Sequence, residues 1–126
     1  MPSLAVDQNG NMAIGYSVSG PNEPDFPSIR YAGRLDSDPA NNLGQGEAIM
    51  TNGGGIQASA SGRWGDYSMT TVDPADNVSF WHTNEYYATT GIIWSTKVGK
   101  FQFPAQTPTP RPSATPRPRP TPPPRP

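Results

Sequence analysis

The chain has 126 residues, 17 of them proline, no cysteine and a formal net charge of −1. One domain is the most such a length holds, the lack of cysteine excludes disulfides and thiol chemistry, and no apolar run approaches the ~18 residues of a membrane span. The near-zero charge hides a split. All ten acids lie before Pro104 against Arg30, Arg34, Arg63, Lys97 and Lys100, whereas Arg111, Arg117, Arg119 and Arg125 lie after it. An acidic body is a poor match to a phosphate backbone, so no nucleic-acid partner is expected.

In chain order, "SLAV" reads as a short strand and "DQNGN" as a tight turn. "MAIGYSVS" is a strand with alternating apolar residues, "PNEPDFP" a loop, "SIRYAGRL" a strand, "DSDPANNLGQ" a loop and "GEAIMT" a fourth strand. "NGGGIQASASG" reads as a long flexible connection. "DYSMTTV", the turn "DPADN", "VSFWHTNEYY" and "WSTKVGKFQF" then give three more strands. Val, Ile, Thr and aromatic residues fill the strand runs and Gly, Pro, Asn and Asp punctuate them. No stretch has a helical period with a cap. From residue 105 to 126 the Pro/Arg-rich sequence cannot bury enough surface to offset its ordering entropy, so it is expected to be a disordered, extended linker. "MPSLAVDQNG" has neither a basic n-region nor an apolar h-region, so no signal peptide is expected.

The halves 2–52 and 63–104 read as copies at a constant offset of 66. Val6-Asp7 aligns with Val72-Asp73, Asn11 with Asn77, Ile14 with Phe80, Ser17 with Thr83 and Gly33 with Gly99. Four antiparallel strands per copy make the blade of a β-propeller. The expectation is an all-β fold of blade-like sheets, a partial β-propeller. A self-contained sheet or sandwich of seven strands is the alternative.

The stretches "PSLAVDQNGNMAIGYSVS…PSIRYAGR" and "RWGDYSMTTVDPADNVSFWHTNEYY" resemble a segment of bacterial extracellular proteins with sialidase-like β-propellers. "VDQNGN" is similar to the Asp-box turn of that superfamily, with Ile14 or Tyr16 where the box has its aromatic. The resemblance covers residues 2–104. It implies a C-terminal pair of blades from an exported, extracellular or cell-surface protein, although no export signal is expected from the first residues. It also implies partners such as a polysaccharide or cell-surface glycan and the rest of the propeller. Self-association through unpaired strand edges is the further possibility.

Asp7 and Asp73 stand where strands enter turns. An Asp there accepts backbone N–H bonds two residues on, so Asp7, Asn11, Asp73 and Asn77 are read as turn-formers. Asp7, Asn9 and Asn11 also space oxygens at alternate positions, but without the distal ligands of a calcium loop. No cofactor is expected, calcium being the one weighed. Arg63 and Asp66 flank Trp64 and Gly65, either as a buried pair or as solute-binding groups at the mouth of a propeller. Glu85 lies among aromatics, the setting of a glycosidase acid or of a hydrogen-bonded structural carboxylate. Trp64 and Trp94 could stack sugar rings, and Trp81 is read as core. His82 is the only histidine, so no histidine-based metal site or catalytic triad is built.

Sialidase chemistry needs an arginine cluster and a Tyr/Glu pair, and no motif maps those onto this chain. The expected function is therefore non-catalytic binding or scaffolding through Arg63, Trp64, Asp66, Glu85 and Trp94. The alternative is a part of a sialidase-like glycoside hydrolase completed by missing blades.

Overall fold

A computed structural model describes residues 1–104. The expected proline-rich linker, 105–126, lies outside the described residues. Seven strands are present among them: β1 Ser3–Val6, β2 Met12–Val18, β3 Ser28–Arg34, β4 Glu47–Thr51, β5 Met69–Val72, β6 Phe80–Tyr86 and β7 Ser95–Phe101. Strands β1-β2-β3-β4 form one antiparallel meander and β5-β6-β7 a second. No helix among the described residues is long and apolar enough to cross a membrane.

Both first hairpins are closed by an aspartate. Asp7 Oδ1 accepts the N–H groups of Asn9 (2.8 Å) and Asn11 (2.9 Å), and its Oδ2 accepts the Asn11 side-chain amide at 2.8 Å. Asp73 Oδ1 accepts the Ala75 N–H at 2.9 Å. Asn77, at φ 57°, donates its N–H to the Asp73 carbonyl at 2.8 Å. The second turn is longer. Val6 faces Met12 across its turn, whereas Val72 faces Phe80. Asp76 fills the extra length by accepting the N–H groups of Val78 (3.0 Å) and Ser79 (2.8 Å). These bonds to Ser79, with Lys100 nearby, hold the Asp76 carboxyl far below the usual carboxylate range.

The constant offset of 66 therefore fails. β1 starts at Ser3 and β5 at Met69, 66 residues apart; Met12 and Phe80 open β2 and β6, 68 apart. Arg34 faces Met12 as Phe101 faces Phe80, which makes the third strands 67 apart. Ile14 thus corresponds to His82 rather than Phe80, Ser17 to Glu85 rather than Thr83, and Gly99 to Ala32 rather than Gly33. An insertion of two in the turn keeps the faces of β2 and β6 in step, because a strand repeats every two residues.

The sheets stack front to back. Ser3 and Ser17 of the first sheet hold Thr70 and Asn84 of the second: Thr70 N–H to Ser3 Oγ is 2.7 Å, and Asn84 Nδ2 to Ser17 Oγ is 2.9 Å. Thr70 corresponds to Leu4, Phe80 to Met12, His82 to Ile14 and Asn84 to Tyr16. The face that the second sheet turns to the first is thus the counterpart of the face that the first sheet leaves outside.

The layer between the sheets is thin and partly polar. Its centre is an aromatic cluster in which Tyr31 stacks on Phe101 at 3.9 Å and Phe80 lies 5.7 Å from both Phe101 and Phe103. His82 is 1% exposed and its Nδ1 lies 2.9 Å from Thr70 Oγ1. Burial pushes its pKa down. Trp81 is not in this core. It points to the outer face, 37% exposed, with its Nε1 donating to Asp73 Oδ2 at 3.0 Å and Lys100 above its ring. Its place in β6 alternation opposite Phe80 and His82 decides this, and an indole with a carboxylate in reach of its N–H has no need of burial.

Candidate functional site

The connection from β4 to β5 builds one wall of a concave feature. It is not a free linker. Gly53 N–H reaches Ser28 Oγ (2.8 Å), Gly54 N–H the Tyr87 carbonyl (2.8 Å), and Ile56 N–H the Thr90 Oγ1 (3.1 Å). Gln57 bridges Gly91, with Ala58 N–H on the Gly91 carbonyl at 2.8 Å and Gly91 N–H on the Ile56 carbonyl at 3.1 Å. The run of glycines permits this: a Cβ at residue 55 would stand 2.0 Å from the Thr90 backbone nitrogen. A sequence that reads as flexible is pinned because bare backbone can approach bare backbone.

Past Ser59 the chain turns, with Gly62 N–H on the Ser59 carbonyl at 3.1 Å, and runs past Glu85 near the end of β6. Trp64 meets Tyr87 edge-on, ring centroids 5.8 Å apart. Gly65 has φ 82°, a conformation in which a side chain is strained, and aims its N–H at Glu85 Oε2, 2.7 Å away. The Asp66–Tyr67 peptide is cis. Arg63 Nε lies 3.0 Å from Asp66 Oδ2, and the Arg63 side chain is 76% exposed. The buried form of this pair is therefore excluded.

These segments leave an open cavity of ≈ 310 Å³ lined by Ser59, Ser61, Arg63, Trp64, Asp66, Tyr67, Glu85 and Trp94. All five residues singled out in the sequence as ligand-binding candidates stand on its wall. Trp94, 49% exposed, comes from the β6–β7 loop, beside Ile92 and Ile93 at 64% and 80%. Tyr67, 79% exposed, and the serine pair were missed. The two serine hydroxyls sit 2.9 Å apart. "SASGRWGDY" gave the signal for all three, since hydroxyls and an aromatic flank the same Arg-Trp pair.

The wall has three aromatic rings, three hydroxyls (Ser59, Ser61 and the Tyr67 phenol), two carboxylates and one guanidinium. The guanidinium is paired with one carboxylate, which leaves the lining net negative. Such a surface offers π-faces and hydrogen-bond acceptors and repels anions. Glu85 is 9% exposed, and one of its oxygens is engaged by the backbone. Among the described residues no group of three or more His, Cys, Asp and Glu side chains is arranged to hold a metal ion. Both oxygens of Asp7, the first residue of the calcium-like run, already accept N–H donors. Compared with protein-family models, with curated proteins and with solved structures, the chain finds no match in any of the three.

Proposed function

We propose that this chain is a pair of blade-like sheets, a piece of an extracellular β-propeller, that binds carbohydrate without chemistry. One observation carries the binding reading: Trp64, Tyr67 and Trp94 share a cavity with Arg63, Asp66, Glu85 and two serines. Sugar recognition needs an aromatic platform for the C–H face of a ring and polar groups for its hydroxyls. A cavity of ≈ 310 Å³ is at the small end of ligand sites, which suits one sugar residue at the end of a glycan. The net-negative wall favours a neutral sugar over a sialoside, whose carboxylate requires free arginines. Arg63, the one arginine there, is neutralised by Asp66.

The blade reading rests on the front-to-back stacking of two sheets with the same meander order. Its tie to sialidase-like proteins, and with it the extracellular setting, rests on the residue resemblance alone.

Asp66 and Glu85 on one wall favour a second reading, in which the pair serves a glycoside-hydrolase site. A glycan array probed with the full chain tests both readings. Binding to neutral terminal sugars, lost in Trp64→Ala and Trp94→Ala, is expected, with no release of nitrophenol from nitrophenyl glycosides. Retention only on sialosides, or no retention on any glycan, refutes the binding reading. Hydrolysis abolished by Glu85→Gln replaces it with the enzyme.

A further inference from the structure

The cavity is electrically one-sided. Arg63, the single cation on its wall, has a side chain 76% exposed and is held by Asp66 Oδ2 at 3.0 Å. Glu85 is its opposite, 9% exposed and covered by the segment around Gly65. The Gly65 N–H fixes Glu85 Oε2 at 2.7 Å, and among the described residues no hydrogen bond reaches Oε1. That carboxylate lines the cavity. A buried carboxylate with one oxygen left unbonded is an unfavourable arrangement that a charged donor relieves. The rings of Trp64, Tyr67 and Trp94 add to the same preference, because aromatic faces attract cations.

We propose that the ligand of this cavity is an amino sugar, a hexose ring carrying a free, protonated amine, with the ammonium on Glu85 Oε1 and the ring against the tryptophans. The inference rests on the carbohydrate reading above and names the class of sugar within it.

The wall selects this group over other cations. A guanidinium binds best to two oxygens at once, and Glu85 has one to offer. A quaternary ammonium has no N–H and would leave that oxygen unbonded. A primary ammonium has three N–H donors. One matches Oε1, and the others match hydroxyl acceptors such as the Ser59 and Ser61 pair, whose oxygens lie 2.9 Å apart. A bare alkylamine satisfies the carboxylate but leaves the aromatic rings with little to cover, whereas the C–H face of a pyranose covers one of them. The neutral parent sugar keeps that stack and the hydroxyl bonds and lacks the charge, so it binds more weakly. An N-acetylated sugar lacks the charge as well and has a single amide donor in place of the ammonium.

Titration calorimetry of the full-length chain with chitosan, chitin and cellulose oligomers of equal length tests this. The three share a linkage and differ in bearing a free amine, an acetamide or a hydroxyl. At low salt the chitosan oligomer should bind roughly 10- to 100-fold more tightly than the cellulose one, the worth of a hydrogen bond to a charged group. The preference should shrink as salt is added. Glu85→Gln keeps an acceptor for the Gly65 N–H and removes the charge, so it should bring the two oligomers to equal affinity. Trp94→Ala, at a half-exposed position, should weaken both together and leave their ratio unchanged. The wild-type ratio and its salt dependence support or refute the inference even if Glu85→Gln fails to fold.

Equal affinity of the wild type for all three oligomers, or tightest binding of the chitin one, overturns the amino-sugar inference and leaves carbohydrate binding standing. So does a preference that survives in folded Glu85→Gln, or binding to a neutral sugar on the array with none to the chitosan oligomer. Spermidine that competes as well as the chitosan oligomer also overturns it, because charge without a ring then suffices. Failure of every oligomer, together with an empty glycan array, refutes the carbohydrate reading itself, so the two failures are distinguishable.

Discussion

Gly15→Ala is a one-methyl test of how the sheets pack. An alanine Cβ at residue 15 would stand 2.3 Å from His82 Nδ1 and 2.4 Å from Cε1, well inside contact distance. The imidazole cannot yield easily, because it is 1% exposed and its Nδ1 lies on Thr70 Oγ1. Overpacking of this kind costs about 1–3 kcal/mol, and displacing the Thr70 contact adds roughly 1 kcal/mol. In the opposite direction, Gly to Ala stabilises an unstrained position by about 0.4–1 kcal/mol through the unfolded chain. The net loss is on the order of 1–3 kcal/mol, and at ~4–8 °C per kcal/mol for a domain of this size the Tm falls by roughly 5–20 °C. Thermal unfolding followed by far-ultraviolet circular dichroism measures it. Removing the ring should relieve the clash, so Gly15→Ala in a His82→Ala background should cost less than in the wild type, a coupling of ~0.5–3 kcal/mol. A Gly15→Ala protein that melts at or above the wild-type Tm refutes the packing of His82 on Gly15 and with it the front-to-back contact.

Asp73→Ala should lower the Tm and leave glycan retention unchanged, because its carboxylate ties the turn at Ala75 to Trp81 and Lys100; wild-type stability with lost binding would show that Asp73 serves the site instead. Stability should fall with acid in two windows. His82 has its pKa lowered by burial, so the unfolded chain takes up a proton first as pH drops below 6.5, and stability declines from there. A Tm unchanged between pH 7 and 5 counts against that burial, since the chain has no other histidine. Asp73 and Asp76 have lowered pKa values, Asp73 chiefly through Lys100 and Asp76 chiefly through Ser79; their contribution is present above 3.8 and disappears as pH falls through their folded values. Tyr16 is pushed up to about 12 by burial and by Glu47, so its phenol should ionise late in an ultraviolet titration and return toward 10.0 in Glu47→Gln.

Local chemistry made much of this molecule legible in the sequence. Alternation and turn residues placed every strand within a few residues of its observed ends, since both are properties of adjacent positions. Asp7 and Asp73 announced their turns because an aspartate can bond the backbone two residues on. The cluster around "RWGDY" was visible as a density of aromatic and polar groups. The sequence could not show that the second turn is longer by two residues, since Asp76 and Asn77 read equally well as part of a shorter one. That mistake displaced the alignment of the later strands.

Which residues share a wall, and which faces remain open, came only from the tertiary structure. Trp94 and Glu85 join Trp64 because the polyglycine run is bound to the 87–91 loop, and no local rule predicts which distant backbone a bare segment will meet. Trp81 and His82 are neighbours in sequence and lie on opposite sides of one sheet, indole outward and imidazole inward. Alternation in sequence states that they differ, but only the second sheet, arriving on one side, decides which of them is buried.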